Sequence, residues 1–316
     1  MNIQLTPEYL IKAIKELKKK HNAIVLAHYY VPAEVQDVAD FVGDSLELSR
    51  KAAASDADMI VFCGVRFMAE TAAVLAPGKK VLLPVPDAGC SLADGITGDD
   101  LKAWRKHHKD GIVVSYVNTT ADTKADTDIC CTSANAVKVA QTVAASAQDR
   151  PVLFAPDRNL GGYINSTAGL KMELWKGCCH VHDKITSKVV EEALRRYPEA
   201  EMLIHPEAAC SSDPAITGNP RCFFYSTSGI IRHVRESECR QFVIATELGV
   251  MHRLRQEAPD KELIPLSDDL ICDDMKKITL LSLFETLLHQ SERKVVSVSP
   301  DIAGKASVPV QKMLEL

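Results

Sequence analysis

Residues 175–182 read Trp-Lys-Gly-Cys-Cys-His-Val-His, two thiols and two imidazoles within five positions near the middle of a 316-residue chain. That density of soft metal ligands exceeds what core packing needs, and its meaning lies in what recurs on either side. Cys179 has counterparts in Cys90, 89 residues earlier, and Cys272, 93 residues later. A second feature keeps the same step. Three Val/Ile/Leu-rich or strand-like runs end in polar residues two apart, His28-Tyr29-Tyr30, Tyr116-Val117-Asn118 and His205-Pro206-Glu207, at intervals of 88 and 89 residues. Two features that share one period mark an internal repeat.

Around the repeat, short apolar runs alternate with helical patterns, the signature of parallel sheets built from βα units. Strands are predicted at 23–30, 59–63, 80–84, 111–118, 128–131, 151–156, 201–205, 222–225 and 241–246, with helices between them and a last long one from 275 to 290. The chain therefore reads as α/β: three similar small parallel-sheet α/β domains with pseudo-threefold symmetry around a central active site. Their expected bounds are 1–88, 89–177 and 178–291, with the segment 292–316 docking back on the first. Ligands of open parallel sheets bind beyond the carboxyl ends of the strands, and residues i and i+2 of a strand point the same way. Three facing units would thus aim all three polar pairs and all three cysteines into one space.

Composition excludes several classes. With 37 basic against 42 acidic residues the net charge is -5, so nothing draws the chain to nucleic acid or to an anionic membrane. No run of about 18 apolar residues is present to span a bilayer. The first residues form a capped amphipathic helix from Thr6-Pro7-Glu8 rather than a signal peptide, and a cytoplasmic location is expected. Ten cysteines in a chain this long do not read as a disulfide scaffold. Cys63, Cys130, Cys131 and Cys222 sit in apolar runs and are expected in the core, and Cys239 falls at a charged helix end.

Three thiolates brought together suit an iron-sulfur cluster or a soft metal, whereas structural zinc favours Cys-x-x-Cys pairs, which the chain lacks. Three cysteines on a cubane leave one iron open as a Lewis acid. His28 and His205 are candidate proton shuttles, Glu207 a candidate base, and Tyr30, Tyr116 and Asn118 candidate partners for substrate oxygens. Gly43-Asp44-Ser45, Thr132-Ser133 and Ser226-Thr227-Ser228-Gly229 each precede a helical run, where free N–H groups bind anions or the hydroxyls simply cap. No Gly-x-Gly-x-x-Gly or Walker pattern is found. The residues alone leave three classes open: an enzyme with a cluster, an iron-sulfur redox sensor, and a metal-dependent aldolase or isomerase with the cysteines in its core.

The motifs Ala-His-Tyr-Tyr (27–30), Gly-Asp-Ser-Leu (43–46), Phe-Met-Ala-Glu-Thr (67–71), Gly-Cys-Ser-Leu-Ala (89–93), Tyr-Val-Asn-Thr-Thr (116–120), Cys-Thr-Ser-Ala-Asn (131–135), Pro-Asp-Arg-Asn-Leu-Gly (156–161), His-Pro-Glu (205–207) and Ala-Thr-Glu-Leu-Gly (245–249), with the stretch 175–182, carry a resemblance. The sequence resembles the quinolinate synthases, iron-sulfur enzymes of de novo NAD biosynthesis. The resemblance implies three α/β domains and a 4Fe-4S cluster on Cys90, Cys179 and Cys272. It implies condensation of iminoaspartate with dihydroxyacetone phosphate to quinolinate, with loss of phosphate and water, and a supply of iminoaspartate from an aspartate-oxidising enzyme. By matching motif, His28, Tyr30, Tyr116, His205 and Glu207 are implied as catalytic. Ser45, Met68, Asn118, Ser133, Ser226 and Thr227 are implied as substrate-binding, together with His180 or His182, between which the match does not choose. The chain departs at its third ligand, where relatives carry Cys-Pro-x-Met and this sequence has Cys272-Asp273-Asp274-Met275.

Overall fold

The computed structural model describes residues 5–316. Three sheets, each of four parallel strands, follow one another along the chain. The first holds β1 (Ala23–His28), β2 (Phe41–Gly43), β3 (Met59–Cys63) and β4 (Lys80–Leu82). The second holds β5 (Ile112–Tyr116), β6 (Ile129–Cys131), β7 (Val152–Ala155) and β8 (Glu173–Leu174), and the third β9 (Glu201–Ile204), β10 (Cys222–Phe224), β11 (Gln241–Ala245) and β12 (Glu262–Pro265). Every sheet repeats one order, second strand, first, third, fourth. The registers repeat as well: Ala27 pairs with Cys63, Ser115 with Ala155, and Ile204 with Ala245. An α/β fold of three like units is what the 89-residue period predicts.

The first and third strands are central in each sheet, and their Val, Ile, Leu and Phe side chains are almost wholly buried. Parallel strands covered on both faces read as continuous apolar runs, which is why these strands were legible. The three strands without a prediction, β2, β8 and β12, are edge strands. β8 has only two residues, one of them exposed Glu173, and β12 runs Glu-Leu-Ile-Pro with no side chain fully buried. The expected helix over 275–290 is two helices, Asp273–Lys276 and Leu280–His289. Thr279 breaks the run by capping the second, its hydroxyl accepting the Ser282 N–H at 3.1 Å.

The segment after residue 291 adds to the first sheet and then leaves it. Val295 bridges Leu82 antiparallel, and the Val296 N–H donates to Val81 O at 2.9 Å. The helix Pro300–Glu315 then lies along the seam between the first two sheets, with Ala306 packed against Val74 and Ala121. Lys312 reaches Asp128 O at 3.0 Å and Asn135 reaches Met313 O at 3.1 Å, both in the second sheet's territory. No described helix is long and apolar enough to cross a membrane.

Order and register together fix where a site forms. The order in which strands are added reverses between the first and third strands of each sheet, and the crevice at their carboxyl ends is the switch point where open α/β sheets bind ligands. All three switch points open into one cavity. Gly249, just past β11, packs closely on the first unit: a Cβ there would fall 2.7 Å from both Tyr29 O and Tyr30 Cα. Gly249→Ala is expected to lower unfolding free energy by about 1–3 kcal/mol, the usual cost of overpacking, measurable by denaturant titration.

Candidate active site

The cavity wall is assembled from equivalent positions of the three units. His28 and Tyr30 come from the end of β1, Tyr116 and Asn118 from the end of β5, and His205 and Glu207 from the end of β9. Beyond the fourth strand of each sheet come Cys90, Cys179 and Cys272. Ser45, Met68, Ser133, Thr227, His180 and His182 complete the expected set on this wall. Ser226 is the one expected residue that is absent from it. Its hydroxyl caps the helix Thr227–Glu236 by accepting the Gly229 N–H at 3.3 Å, and it faces the neighbouring groove.

Glu207 is the centre of a buried polar network. Its carboxylate lies 2.6 Å from His182 Nδ1, 3.6 Å from His205 Nδ1 and 3.5 Å from Asn118 Nδ2, and the Tyr116 hydroxyl bonds to it. Burial alone would push its pKa up, but His182 beside it, with the Tyr116 hydroxyl, outweighs that and holds its carboxyl below the usual carboxylate range, so Glu207 is ionised at neutral pH. From His182 the network runs on: Nε2 lies 2.9 Å from Thr246 Oγ1, Thr246 lies 2.8 Å from the Tyr30 hydroxyl, and Tyr30 lies 2.8 Å from Thr227 Oγ1. The two histidines of the opening stretch are thereby separated. His182 is buried in the network and stacked on His205 at 4.4 Å, while His180 is exposed and pairs with Ser91 at 3.2 Å.

His28 and His205 differ from the proton shuttles expected of them. Each ring's Nδ1 accepts the backbone N–H two residues on, from Tyr30 at 3.2 Å and from Glu207 at 3.3 Å. Burial, with Lys276 and His182 adding at His28 and His182 and His28 at His205, pulls both pKa values down to about 3. A neutral imidazole whose Nδ1 accepts carries its proton on Nε2, so both rings are fixed hydrogen-bond donors at neutral pH. Tyr30 and Tyr116 stay protonated, chiefly because they are buried.

The three cysteines share one local geometry. Backbone amides favour each thiolate, those of Leu92 and Ala93 at Cys90, of Val181 and His182 at Cys179, and of Asp274 and Met275 at Cys272. Each thiol thus opens a short helical turn (Ala93–Gly95, His182–Lys184, Asp273–Lys276) whose free amides point at it. Amides two and three residues on stabilise a thiolate. Burial dominates in the metal-free protein, however, and pushes Cys90 up to about 12 and the other two upward. Such thiols ionise when a metal takes the proton's place. Cys63, Cys130, Cys131 and Cys222 are buried core residues, as expected, and Cys178 lies off the cavity.

Among the described residues, one trio of donors lies mutually within 4.8 Å and could hold a metal ion: Cys179, His182 and Glu207. The three cysteine sulfurs do not form such a trio, so at least one pair of them is further apart than that. Three helices begin at the cavity, Ser45–Ala54, Ala136–Ala147 and Thr227–Glu236. At the first, Asp44 and not Ser45 is the cap, accepting the Leu46 and Glu47 N–H groups at 3.1 Å, which leaves the Ser45 hydroxyl on the wall. Sequence reasoning missed Val65 and Glu247, both on the wall with Asp44 and Thr132 of the helix-start motifs, and Asp157 behind it. A strand-end signal for Val65, Asp157 and Glu247 was available: each lies two residues beyond the third strand of its sheet.

Because His28 and His205 hold their pKa values near 3 against 6.5 in an unfolded chain, the unfolded state binds more protons between those limits. Stability from this source is present above pH 6.5 and is lost as pH falls toward 3, with Glu207 adding in the same direction below 4.5. His205→Asn, whose amide oxygen can still accept the Glu207 N–H, removes one such proton. It is expected to reduce the slope of unfolding free energy against pH by up to about 1.4 kcal/mol per pH unit below pH 6.5, read by denaturant unfolding across pH 7 to 5.

Comparison with known proteins places the chain. Residues 12–315 match the family model described as quinolinate synthetase A protein. The chain is 47% identical over 311 residues to the quinolinate synthase of Pyrobaculum aerophilum, across 97% of this chain and 99% of that one. It is 47% identical over 307 residues to that of Thermus thermophilus, across 97% of each. It is 44% identical over 310 residues to that of Mycobacterium tuberculosis, across 96% of this chain and 87% of the relative. Matches of this extent show that the chain belongs to the quinolinate synthetase A family, a family of enzymes.

Proposed function

We propose that this enzyme makes quinolinate for NAD biosynthesis by condensing iminoaspartate with dihydroxyacetone phosphate, releasing phosphate and water, and that Cys90, Cys179 and Cys272 hold a 4Fe-4S cluster. The observation that carries the reading is the meeting of three half-buried cysteines and three strand-end polar pairs in one cavity of a chain of this family. The donor set fits a cluster better than a single ion. A lone zinc at about 2.3 Å from each sulfur would draw the sulfurs to within about 4 Å of one another, closer than they lie. The Cys179, His182 and Glu207 trio fits an ion less well, because Glu207 and His182 already contact each other at 2.6 Å. Amides directed at each sulfur are the usual hydrogen bonds of iron-sulfur ligands. When bound, a cluster held by three cysteines supplies an iron with an open position, a Lewis acid for a substrate oxygen.

The chain's own residues divide the remaining work by chemistry. Ser45, Ser133 and Thr227, one from each unit at or next to a helix start, suit the phosphate and carboxylate oxygens, which gain from hydroxyl donors and positive helix ends. His28 and His205 donate from Nε2 to oxygens that gain negative charge during condensation. Glu207, ionised and acceptor-only, takes a proton or holds the imine nitrogen. Asn118 Oδ1 is buried without a hydrogen-bond partner among the described residues, an acceptor suited to a substrate donor. Tyr30 and Tyr116 fix their neighbours and close the cavity floor. We divide the chain at 88/89 and 177/178, with each unit bringing one strand-end pair to the shared site, the second unit also bringing Cys90 and the third Cys179 and Cys272. Iminoaspartate hydrolyses in water, which makes an aspartate-oxidising enzyme its natural supplier.

Protein purified anaerobically is expected to be coloured and to contain iron and sulfide in cluster stoichiometry. Cys179→Ser should lose both the visible absorption and turnover; full quinolinate formation by a cluster-free variant would refute the reading. Glu207→Gln is expected to keep the cluster spectrum and lower kcat by about 10²–10⁴-fold, the range of general acid–base catalysis. An unchanged kcat would remove Glu207 from the chemistry.

A further inference from the structure

The loops that carry the cysteines are tied to their sheets by a repeated pair of bonds, and one half of the pair is missing in the first unit. The backbone half is present three times. The residue three past the third strand donates its N–H to the carbonyl two residues before the cysteine: Arg66 to Ala88 at 2.8 Å, Arg158 to Gly177 at 2.7 Å and Leu248 to Leu270 at 2.9 Å. The side-chain half comes from the residue just before each donor, which is Val65, Asp157 or Glu247.

Asp157 and Glu247 have no solvent exposure, and both make the same two-armed contact. Asp157 accepts the Cys179 N–H on Oδ2 at 3.0 Å and the Leu160 N–H on Oδ1 at 2.7 Å. Glu247 accepts the Cys272 N–H on Oε1 at 3.1 Å and the Gly249 N–H on Oε2 at 2.6 Å, with Lys276 2.8 Å from Oε1. Two oxygens that both accept are the property of a carboxylate; an amide of the same shape offers one acceptor and turns a donor on the other N–H. A wholly buried charge is costly and persists only where its bonds compensate it. The same expensive group at equivalent places, doing the same thing to two of the three cysteines, therefore has a shared purpose. Neither residue donates to, or replaces, a cysteine sulfur, so both act through the backbone of the ligand. At the first unit Val65 offers no acceptor, and the Cys90 loop instead gives the Gly89 N–H to Asp274 Oδ1 of the third unit at 3.3 Å.

We propose that Asp157 and Glu247 are positioning residues for the cluster ligands, each holding the backbone of one cysteine, Cys179 or Cys272, so that its sulfur stands at the distance and direction the cluster requires. The assignment rests on the cluster reading above. Partners of metal ligands typically change metal affinity by about 10–100-fold when replaced. Here the replaced bond is to the ligand's main chain, so the effect falls on retention of the cluster and on its spectrum.

The test uses full-length protein reconstituted anaerobically with iron and sulfide, the parent beside Asp157→Asn and Glu247→Gln. Asp157→Asn is the sharper variant, because Asn caps a helix as well as Asp does, which preserves the bond to Leu160 and sets an NH₂ against the Cys179 N–H. Both variants are expected to release iron to a chelator about tenfold faster or more and to show a shifted reduction potential and electron-spin spectrum. A purely structural role for Asp157 would lower the unfolding midpoint of the iron-free protein but leave the reduction potential and electron-spin spectrum of the reconstituted protein at the parent values. Release rates and spectra equal to the parent's in both variants would overturn the assignment while leaving the cluster reading intact. A parent protein that takes up no iron and sulfide would overturn the cluster reading itself, and the assignment with it.

Discussion

The structure around the cavity depends on keeping one ionised carboxylate, Glu207, out of water. Its side chain is 3% exposed, and a bare carboxylate there would cost several kcal/mol. What compensates it comes from beyond its own strand: Tyr116 and Asn118 from the end of β5, and His182 from the loop that joins the second and third units. His182 is in turn fixed by Thr246, and Thr246 by Tyr30 at the end of β1. The network therefore closes only when all three sheets are docked. This ties the charge state of the site to the assembly of the fold, and it explains why so polar a cluster sits where three apolar sheets converge.

That dependence also accounts for the behaviour of the histidines. A ring at the end of a central parallel strand has its own chain's next turn folded against it, and in both His28 and His205 that turn delivers a backbone N–H to Nδ1. The tautomer is then set by the main chain, and burial keeps the ring neutral. The repeat of this arrangement in the first and third units, with Tyr116 at the matching place in the second, gives the cavity two oriented N–H donors and one hydroxyl from a single structural position. Symmetry of the fold supplies the positions, and the departure of each unit from that symmetry supplies the chemistry.

What was legible in the sequence follows from the same geometry. The six central strands are apolar without interruption, so they could be read together with three of the edge strands, β4, β6 and β10, and their polar ends located; His28, Tyr116 and His205 stand out because a buried run stops at a polar residue. The edge strands β2, β8 and β12 were not legible, since two to four half-buried residues such as Glu173-Leu174 carry no period. Ser133 and Ser226 look alike in sequence, each before a helix, and differ only in which side of the helix start faces the cavity. Nor did the stretch 175–182 tell His180 from His182, because a short helical turn sends successive residues to different sides. Asp157 and Glu247 read as ordinary helix-start or strand-end residues, and only the shared register of β7 and β11 with their neighbours shows them to be counterparts.

The fold also accommodates the departure that follows Cys272. Position 273, where relatives carry proline, is the first residue of the turn Asp273–Lys276, with Cys272 as its cap. The N–H at that place has no partner within a helix, so proline is tolerated there, and aspartate is favoured for a different reason, its charge beside the positive helix end. The sulfur of Cys272 takes its amides from positions 274 and 275, so exchanging proline for aspartate at 273 leaves both of those bonds in place. Asp274 has the further contact to Gly89, beside Cys90, and its other neighbour is Lys277 at 2.6 Å. The Cys90 loop, which follows the first sheet and meets Val65 where the others meet a carboxylate, is thus fastened from beyond the third sheet, whereas the Cys179 and Cys272 loops are each fastened by a carboxylate at the end of the sheet they follow. Relative movement of the first and third units would consequently disturb Cys90 before it disturbed Cys179 or Cys272.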